Sequence, residues 1–378
     1  MSRDLILVAL SLMTWGIGEG MFIFFQPIYL QQLGANPVLI GGILGGIGIV
    51  MSLSYIPAGY LSDRFGRRPV LWLAWMIGAV STWVMALSSS LPTFVLGSAL
   101  YGLTSFVLPP LNSYLTHARG RLSVGRTLTL ISATYSVGMI LGPLLGGWIG
   151  DNFGLRRTFY IAACIFILST IIILFIRPQP VERHSLRESG LRSSDFFSKR
   201  YLQFLLIIFL VMFALYLPQP LSQNYLQNEH GLSLTQIGQL ISTRALGIVM
   251  LNLILGHLNA RVGFLIAQAC MALFTLFLWW GNSMLWFSLG YFMLGSYQTA
   301  RALATAQSRT LIQSANMGIG YGLIETASAS AIVFAPPLAG VLYAHNPSWI
   351  YSVGLVLIGA AFVISVFFSP IKSNDLLH

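Results

Sequence analysis

Apolar residues in this chain come in long unbroken runs. They show neither the every-second pattern of a half-buried strand nor the single stripe of a surface helix. Twelve runs can be marked, over residues 5–30, 37–61, 70–89, 92–115, 125–149, 158–177, 201–226, 232–258, 262–281, 284–306, 314–343 and 347–369. About 20 helical residues cross a bilayer core, so the runs have the right length. Backbone groups in lipid must be bonded within the protein, which leaves helices or a closed barrel. Barrel strands are short and alternating, so these runs predict helices. The expected fold class is all-α, a polytopic membrane protein with twelve transmembrane helices.

Charge collects in the turns between runs. Charged residues are 8% of the chain against 56% hydrophobic, the mean hydropathy is +0.77, and a soluble domain carries about 25% charge. A net charge of +10 would suggest nucleic acid for a soluble protein, but its distribution says otherwise. With a cytoplasmic N-terminus and twelve crossings, the cytoplasmic side receives Arg3, Arg64, Arg67, Arg68, Arg119, Arg121, Arg126, Arg177, Arg183, Arg187, Arg192, Lys199, Arg200, Arg261, Arg309 and Lys372. The outer side receives only Arg156 and Arg157, while Arg244 and Arg301 lie within runs. This positive-inside bias places both termini in the cytoplasm, in a multi-pass protein of the cell inner (plasma) membrane. The basic turns become a topology signal and a contact surface for anionic lipids, with no nucleic acid partner.

Cys164 and Cys270 both fall in predicted spans, so neither a disulfide scaffold nor a thiolate metal site is expected. The first run lacks a small-residue cleavage site near its end and leads straight into further spans. It reads as the first helix and not as a signal peptide. A GxxxxGK[ST] phosphate loop is absent, which argues against ATP-driven pumping. No cofactor, metal or enzymatic chemistry is expected.

The longest polar insertion, 178–200, is rich in Ser, Arg and Pro and has six runs on either side. Two echoes support a duplication. Gly59-Tyr60-Leu61-Ser62-Asp63-Arg64-Phe65-Gly66 returns in weaker form at Gly256-His257-Leu258-Asn259-Ala260-Arg261-Val262-Gly263, offset by 197 residues. Leu141-Gly142-Pro143-Leu144-Leu145-Gly146-Gly147 returns at Phe334-Ala335-Pro336-Pro337-Leu338-Ala339-Gly340, offset by 193. The expected organisation is two pseudo-symmetric six-helix bundles, 1–177 and 201–378, joined by a cytoplasmic linker at 178–200. Such parallel repeats suit alternating access, with the halves rocking about a site near the membrane midplane.

On these features the chain resembles the major facilitator superfamily over essentially its whole length. The turn at 62–69, with its flanking glycines, matches that family's signature between the second and third spans. The resemblance implies that Asp63 braces a gate, with Gly59, Arg64, Gly66, Arg67 and Arg68 shaping the same motif. Ala260 stands at the aspartate's place in the second copy, so the latch should be one-sided. The glycines and proline Gly138, Gly142, Pro143, Gly146 and Gly147 resemble the fifth-span signature of exporters, especially drug–proton antiporters. The family's fourth-span arginine is missing, since 96–107 reads LGSALYGLTSFV.

Polar groups inside the spans are the candidates for chemistry. Glu19 lies near the centre of the first run, where a carboxylate costs about 3 kcal/mol on insertion scales. It should face the bundle interior, where a carboxyl group can exchange its proton near neutral pH and so couple protons to transport. Phe22 and Gln26 follow on the same stripe as substrate-cavity candidates. Glu325 is the second proton-coupling candidate. Arg244 lies too deep to reach a headgroup and needs an anionic substrate or a carboxylate, with Glu19 and Glu325 as candidate partners. Arg301 lies nearer the cytoplasmic edge and can snorkel or touch substrate. Tyr216, Gln219 and Gln223 share a face of the seventh run, which Pro218 and Pro220 should bend; that face suits either substrate or a helix seam. The expected function is a monomeric secondary transporter of a small organic solute, coupled to protons and directed outward. Uptake of a sugar or organic anion is the alternative transport reading, and a non-transporting membrane sensor or scaffold the alternative class.

Overall fold

A computed structural model describes residues 2–120, 122–179, 199–308 and 317–368, with side chains placed except at 55–64, 199–200, 317–321 and 368. The linker expected at 178–200 lies almost wholly outside these residues. The described elements are helices in this order: α1 (Arg3–Phe22), α2 (Gln26–Gln32), α3 (Pro37–Phe65), α4 (Arg67–Leu87), α5 (Leu91–Leu103), α6 (Leu108–Ala118), α7 (Val124–Phe153) and α8 (Leu155–Leu174). The second half continues with α9 (Lys199–Tyr216), α10 (Ser222–Asn228), α11 (Leu234–Gly256), α12 (Ala260–Trp280), α13 (Met284–Leu294), α14 (Ser296–Ser308), α15 (Met317–His345) and α16 (Trp349–Phe368).

The helix boundaries follow from the turn residues. Ser2 opens α1 by accepting the Leu5 N–H at 3.3 Å. Ser123 does the same for α7 through Arg126 at 3.3 Å, and Asn259 caps α12 through Arg261 at 3.0 Å. Each satisfies a donor that the first helical turn leaves open. Two turns between successive spans are single glycines of positive φ: Gly66 between α3 and α4 (φ 83°, ψ 161°) and Gly154 between α7 and α8 (φ 85°, ψ 148°). That backbone region is essentially reserved for glycine. The turn expected over 62–69 is therefore much shorter: α3 stays helical through Phe65, and Gly66 alone reverses the chain.

Ten segments among the described residues are long and apolar enough to cross a membrane by length and composition, and Tyr201–Tyr216 is apolar but shorter. Four of the predicted spans are broken mid-way. The first becomes α1 and α2, parted at Ile23–Phe25; the fourth becomes α5 and α6, parted by a 3₁₀ turn at Thr104–Val107. The seventh becomes α9 and α10 around Pro218 and Pro220, and the tenth becomes α13 and α14 at Gly295. Every third span is broken. By contrast Pro143 lies inside α7, and Pro336 and Pro337 lie inside α15.

The chain resolves into two compact units that exchange short segments. Unit 1 comprises residues 1–35, 46–187 and 226–242; unit 2 comprises 36–45, 188–225 and 243–378. Helices α3 and α11 are thus each shared, with their first turns in one unit and the rest in the other. Water cannot drive helices together inside lipid, so close backbone approach at small residues does that work. In unit 1 the seam is α1 on α7. A methyl group added at Gly142 would come within 2.5 Å of the Ile17 carbonyl oxygen and 2.8 Å of Gly20 Cα. Beside that seam, rings of Trp15, Trp75, Phe22, Tyr101, Phe159 and Phe166 interlock, Trp15 and Phe166 having centroids 4.5 Å apart. In unit 2, α12 packs on α13, α14 and α16, while α9 packs on α15 and α16. Tyr225 meets Tyr351 at 4.7 Å and Phe274 meets Tyr291 at 6.0 Å.

Gly142→Val should lower the detergent melting temperature by several degrees, in line with about 1–3 kcal/mol for overpacking. Gly42→Val, where an added methyl meets nothing within 4 Å, should leave it unchanged. Equal melting temperatures for the two variants would refute the seam as a stability determinant.

Candidate functional site

Breaks in the helices carry polar groups into the interior of each unit. In unit 1, Glu19 lies on the last full turn of α1, just before the break, and is half-buried. Its Oε2 accepts a hydrogen bond from the Tyr135 hydroxyl of α7 at 2.8 Å. The Tyr101 hydroxyl of α5 and the Trp15 indole N–H also lie within hydrogen-bonding reach of the carboxylate. Trp15 stacks on Tyr101 with centroids 6.1 Å apart and packs against Trp75 and Phe166, so the donors are held by an aromatic wall. Groups from α7, α5 and α1 that can donate hydrogen bonds thus surround one carboxylate, a network that can be remade when its members change partners.

In unit 2 the tyrosines again flank the breaks. Tyr216 ends α9 and Tyr297 follows the break between α13 and α14; their ring centroids are 5.6 Å apart. Arg244, half-buried on α11, interacts electrostatically with Tyr216, Tyr291 and Tyr297. Tyr291 is tied to Ser222 at 3.2 Å. One turn beyond Tyr297, Arg301 reaches Glu325 of α15, its Nε and a terminal nitrogen lying 2.9 and 2.5 Å from Glu325 Oε2. Thr305 donates to the other oxygen at 3.3 Å. Of the two carboxylates weighed for Arg244, Glu325 therefore has Arg301 as its ion-pair partner.

The other predicted residues fall as follows. Phe22 is fully buried among Tyr101, Phe159 and Phe166. Gln26 is buried and donates to Ser98 Oγ at 2.6 Å. Both lie in the packed interior of unit 1. Gln219 donates to the Leu215 carbonyl at 2.8 Å, taking an acceptor whose usual helical donor, the Gln219 N–H, has turned to Tyr216. The side chain thus repairs the break at Pro218. Gln223 is buried, with its carbonyl accepting from Ser222 at 3.3 Å. In the 59–68 motif, the side chains of Gly59, Asp63 and Arg64 lie outside the described residues. Arg67 donates to Gln179 at 3.2 Å, and the Arg68 guanidinium lies over the Trp72 ring at 4.0 Å. Gly138, Gly142 and Gly146 press against α1, while Pro143 and Gly147 press against the start of α11. Glu325 and Arg301, proposed separately from the sequence, are brought together. Tyr101, Tyr135, Tyr291 and Tyr297 were not singled out there. Their signal was position: each polar ring sits within a turn or two of a helix break or opposite a buried charge. Among the described residues no cluster of three or more His, Cys, Asp or Glu side chains could hold a metal ion.

The sequence model of the Major Facilitator Superfamily matches residues 6–219 and 204–375, both repeats and nearly the whole chain. The chain belongs to the Major Facilitator Superfamily. It is accordingly a polytopic membrane transporter and not an enzyme, working by secondary-active transport with alternating access. Multidrug resistance protein 2 of Bacillus subtilis (strain 168) is 23% identical over 347 residues, covering 87% of this chain and 86% of that protein. Multidrug resistance protein MdtG of Escherichia coli (strain K12 / DH10B) is 31% identical over 189 residues, which is 48% of this chain and 46% of that protein. Among solved structures, the nucleoside transporter NupG superposes with a TM-score of 0.82 at 15% identity, over 97% of this chain and 98% of that one. A bacterial homologue of the human lysosomal transporter Spinster gives 0.72 at 16% identity, over 97% and 94%. These two share the fold of this superfamily member, an all-α arrangement of pseudo-two-fold helical bundles.

The Arg301–Glu325 pair makes a specific demand on stability. Arg301→Met or Glu325→Gln alone should destabilise by about 1–2 kcal/mol, the pair being partly exposed. The double variant should recover part of that loss, giving a coupling energy of about 1 kcal/mol in a thermal double-mutant cycle. Strict additivity would show that the pair is not coupled.

Proposed function

We propose that this protein exports small organic solutes from the cell in exchange for protons. The observation that carries the reading is Glu19, a carboxylate at a break in α1 held by the Tyr135 hydroxyl at 2.8 Å, with Tyr101 and Trp15 beside it. Nothing in helix packing requires an acid there, whereas a proton carrier requires an acid whose hydrogen bonds can be remade. Outward direction is supported by the glycine–proline motif of α7 and by the names of the relatives, two of them multidrug resistance proteins. The protein sits in the inner membrane with both termini in the cytoplasm, as the arginine distribution suggests. Twelve crossings follow if α9 with α10, and α13 with α14, also span, dividing the chain into bundles at 1–177 and 201–378 with a linker at 178–200. Gating belongs to Asp63 and its neighbours.

The solute would meet the tyrosines of unit 2. Arg301 has its charge balanced by Glu325; the group placed against the solute is Arg244, which lies amid Tyr216, Tyr291 and Tyr297. Such a lining suits a planar molecule with hydroxyl or acidic groups, since tyrosines offer both ring faces and donors. It favours, as second reading, transport of an organic anion, in either direction.

The test uses purified protein in proteoliposomes with an imposed pH gradient and a broad panel of solutes. Solute-dependent proton flux is expected, falling at least tenfold in Glu19→Gln. Undiminished flux in that variant would remove Glu19 from the coupling, and no flux with any solute would favour a sensor or scaffold. Arg244→Ala separates the two solute readings: anion transport should be lost with neutral-solute transport kept. Retained anion transport would sink the second reading.

A further inference from the structure

The two internal repeats form the same pair of contacts, and among the described residues a charged side chain bonds across one of them. Gly238 at the start of α11 lies against the Pro143 carbonyl and Gly147 Cα of α7; Gly41 at the start of α3 lies against the Pro336 carbonyl and Gly340 Cα of α15. The repeat offsets relate them: Pro143 and Gly147 map onto Pro336 and Gly340 by 193 residues, and Gly238 maps onto Gly41 by 197. Likewise Gly147 touches Leu234 as Gly340 touches Pro37. Each contact lies wholly within one compact unit.

At the end of the α7–α11 seam, Asp151 adds what the copy lacks. Its two carboxylate oxygens accept the backbone N–H groups of Leu234 at 2.8 Å and Thr235 at 2.7 Å. These are open donors of the first turn of α11, at the positive end of that helix's dipole. In the copy, Ala344 stands where Asp151 would be, and Pro37, which has no N–H, stands where Leu234 would be. Both partners of the hydrogen bond are absent there. Instead Asn36 caps its own helix through Leu39 at 2.9 Å. Ser233 and Gln236 already cap α11 locally, at 3.2 and 2.9 Å, so α11 does not need Asp151 simply to begin.

We propose that Asp151 is a positioning residue of the transport cycle, a charged latch that holds the first turn of α11 on the end of α7 and sets how often that seam opens. This rests on the alternating-access reading. Because α11 passes from unit 1 into unit 2 at residue 243, a motion that carries α11 with unit 2 has to strip its first turn from Asp151. Among the described residues, the contacts seen at the α15–α3 seam are packing contacts of Gly41, Gly45 and Gly340. Opening is therefore unequal at the two seams; removal of the carboxylate reduces the difference, leaving the Ser242 hydroxyl, which donates to the Ile140 carbonyl at 2.7 Å, as the remaining polar tie.

Spin labels at Arg156→Cys and Glu229→Cys, both exposed positions, report the seam in a Cys164→Ser, Cys270→Ser background in lipid nanodiscs. Asp151→Ala should raise the long-distance population about fivefold, the size expected for loss of a helix cap. Asp151→Glu should restore it, and Asp151→Asn, which keeps an acceptor without charge, should fall between. Asn36→Ala removes a cap of the other repeat and should not move this distance. An unchanged distribution in Asp151→Ala, or an equal shift in Asn36→Ala, would overturn the latch. Should Asp151→Ala fail to fold, an unshifted Asp151→Asn would overturn it too. The distances need no solute, so opening in Asp151→Ala by a protein that transports nothing supports the latch while sinking the transport reading. Wild-type transport with an unshifted distribution sinks the latch alone.

Discussion

Everything in this structure depends on backbone touching backbone where side chains are missing. In lipid, burying a leucine against another leucine gains little over leaving it against an acyl chain, so helix association rests on close packing and local polar contacts. Gly16, Gly20, Gly138, Gly142 and Gly146 let α1 and α7 meet at carbonyl distance. The other face of α7 offers Pro143 and Gly147 to α11. One helix thus serves two neighbours, a fixed one and one whose chain leaves for the other unit. The glycine–proline motif is both the mortar of unit 1 and the surface on which α11 begins.

Given seams that tight, polar groups have few places to go, and helix breaks supply them. A broken helix frees carbonyls and N–H groups that must be satisfied inside protein. Gln219 does this directly, bonding the Leu215 carbonyl beside Pro218. The same breaks let Glu19, Tyr101, Tyr216 and Tyr297 reach interior space without disturbing the glycine contacts. Breaks in every third span are what a three-span pattern of interrupted, long and long helices, repeated four times, would give. Packing and chemistry are thereby partly separated: α4, α8, α12 and α16 are continuous and mostly apolar, while the polar groups lie on the interrupted helices and, as Tyr135, Arg244 and Glu325, on α7, α11 and α15.

Much of this was legible in the sequence, for reasons that differ by feature. Run length and charge placement revealed the membrane fold, because lipid punishes any other arrangement of a chain so apolar. The offsets of 193 and 197 revealed the duplication, and the structure turns them into matching contacts. The breaks were partly visible: Pro218 and Pro220 announced one, but nothing about Ile23–Phe25 or Gly295 stood out from ordinary apolar helix. Tyr101 and Tyr135 beside Glu19, and Tyr291 and Tyr297 beside Arg244, were missed because a tyrosine in a span reads as packing until it is seen to face a charge. Phe22 stays on α1 with Glu19, less than a turn away, and its ring packs against Tyr101, Phe159 and Phe166, whereas Gln26 of the same expected stripe lies beyond the break, on α2. Helical periodicity cannot be extended through a break that the sequence does not mark.

The repeats have also divided the charges between them. The acid held by neutral donors lies in unit 1, at Glu19; the cation held by tyrosines lies in unit 2, at Arg244, beside an ion pair that balances itself. A carrier built from two copies of one bundle needs such asymmetry, because two identical sites would respond to a proton identically and no state would be favoured by it. A ligand moves a conformational equilibrium only by binding the two states unequally. Under the proposed exchange, a proton taken up at Glu19 and a solute met by Arg244 would act on different units, so the two ligands would not bias the conformational states in the same way. The same reasoning applies at the seams, where Asp151 has a place in one repeat and Pro37 and Ala344 deny it one in the other. Duplication supplied the frame, and divergence at a handful of positions made its two halves unequal enough to be driven.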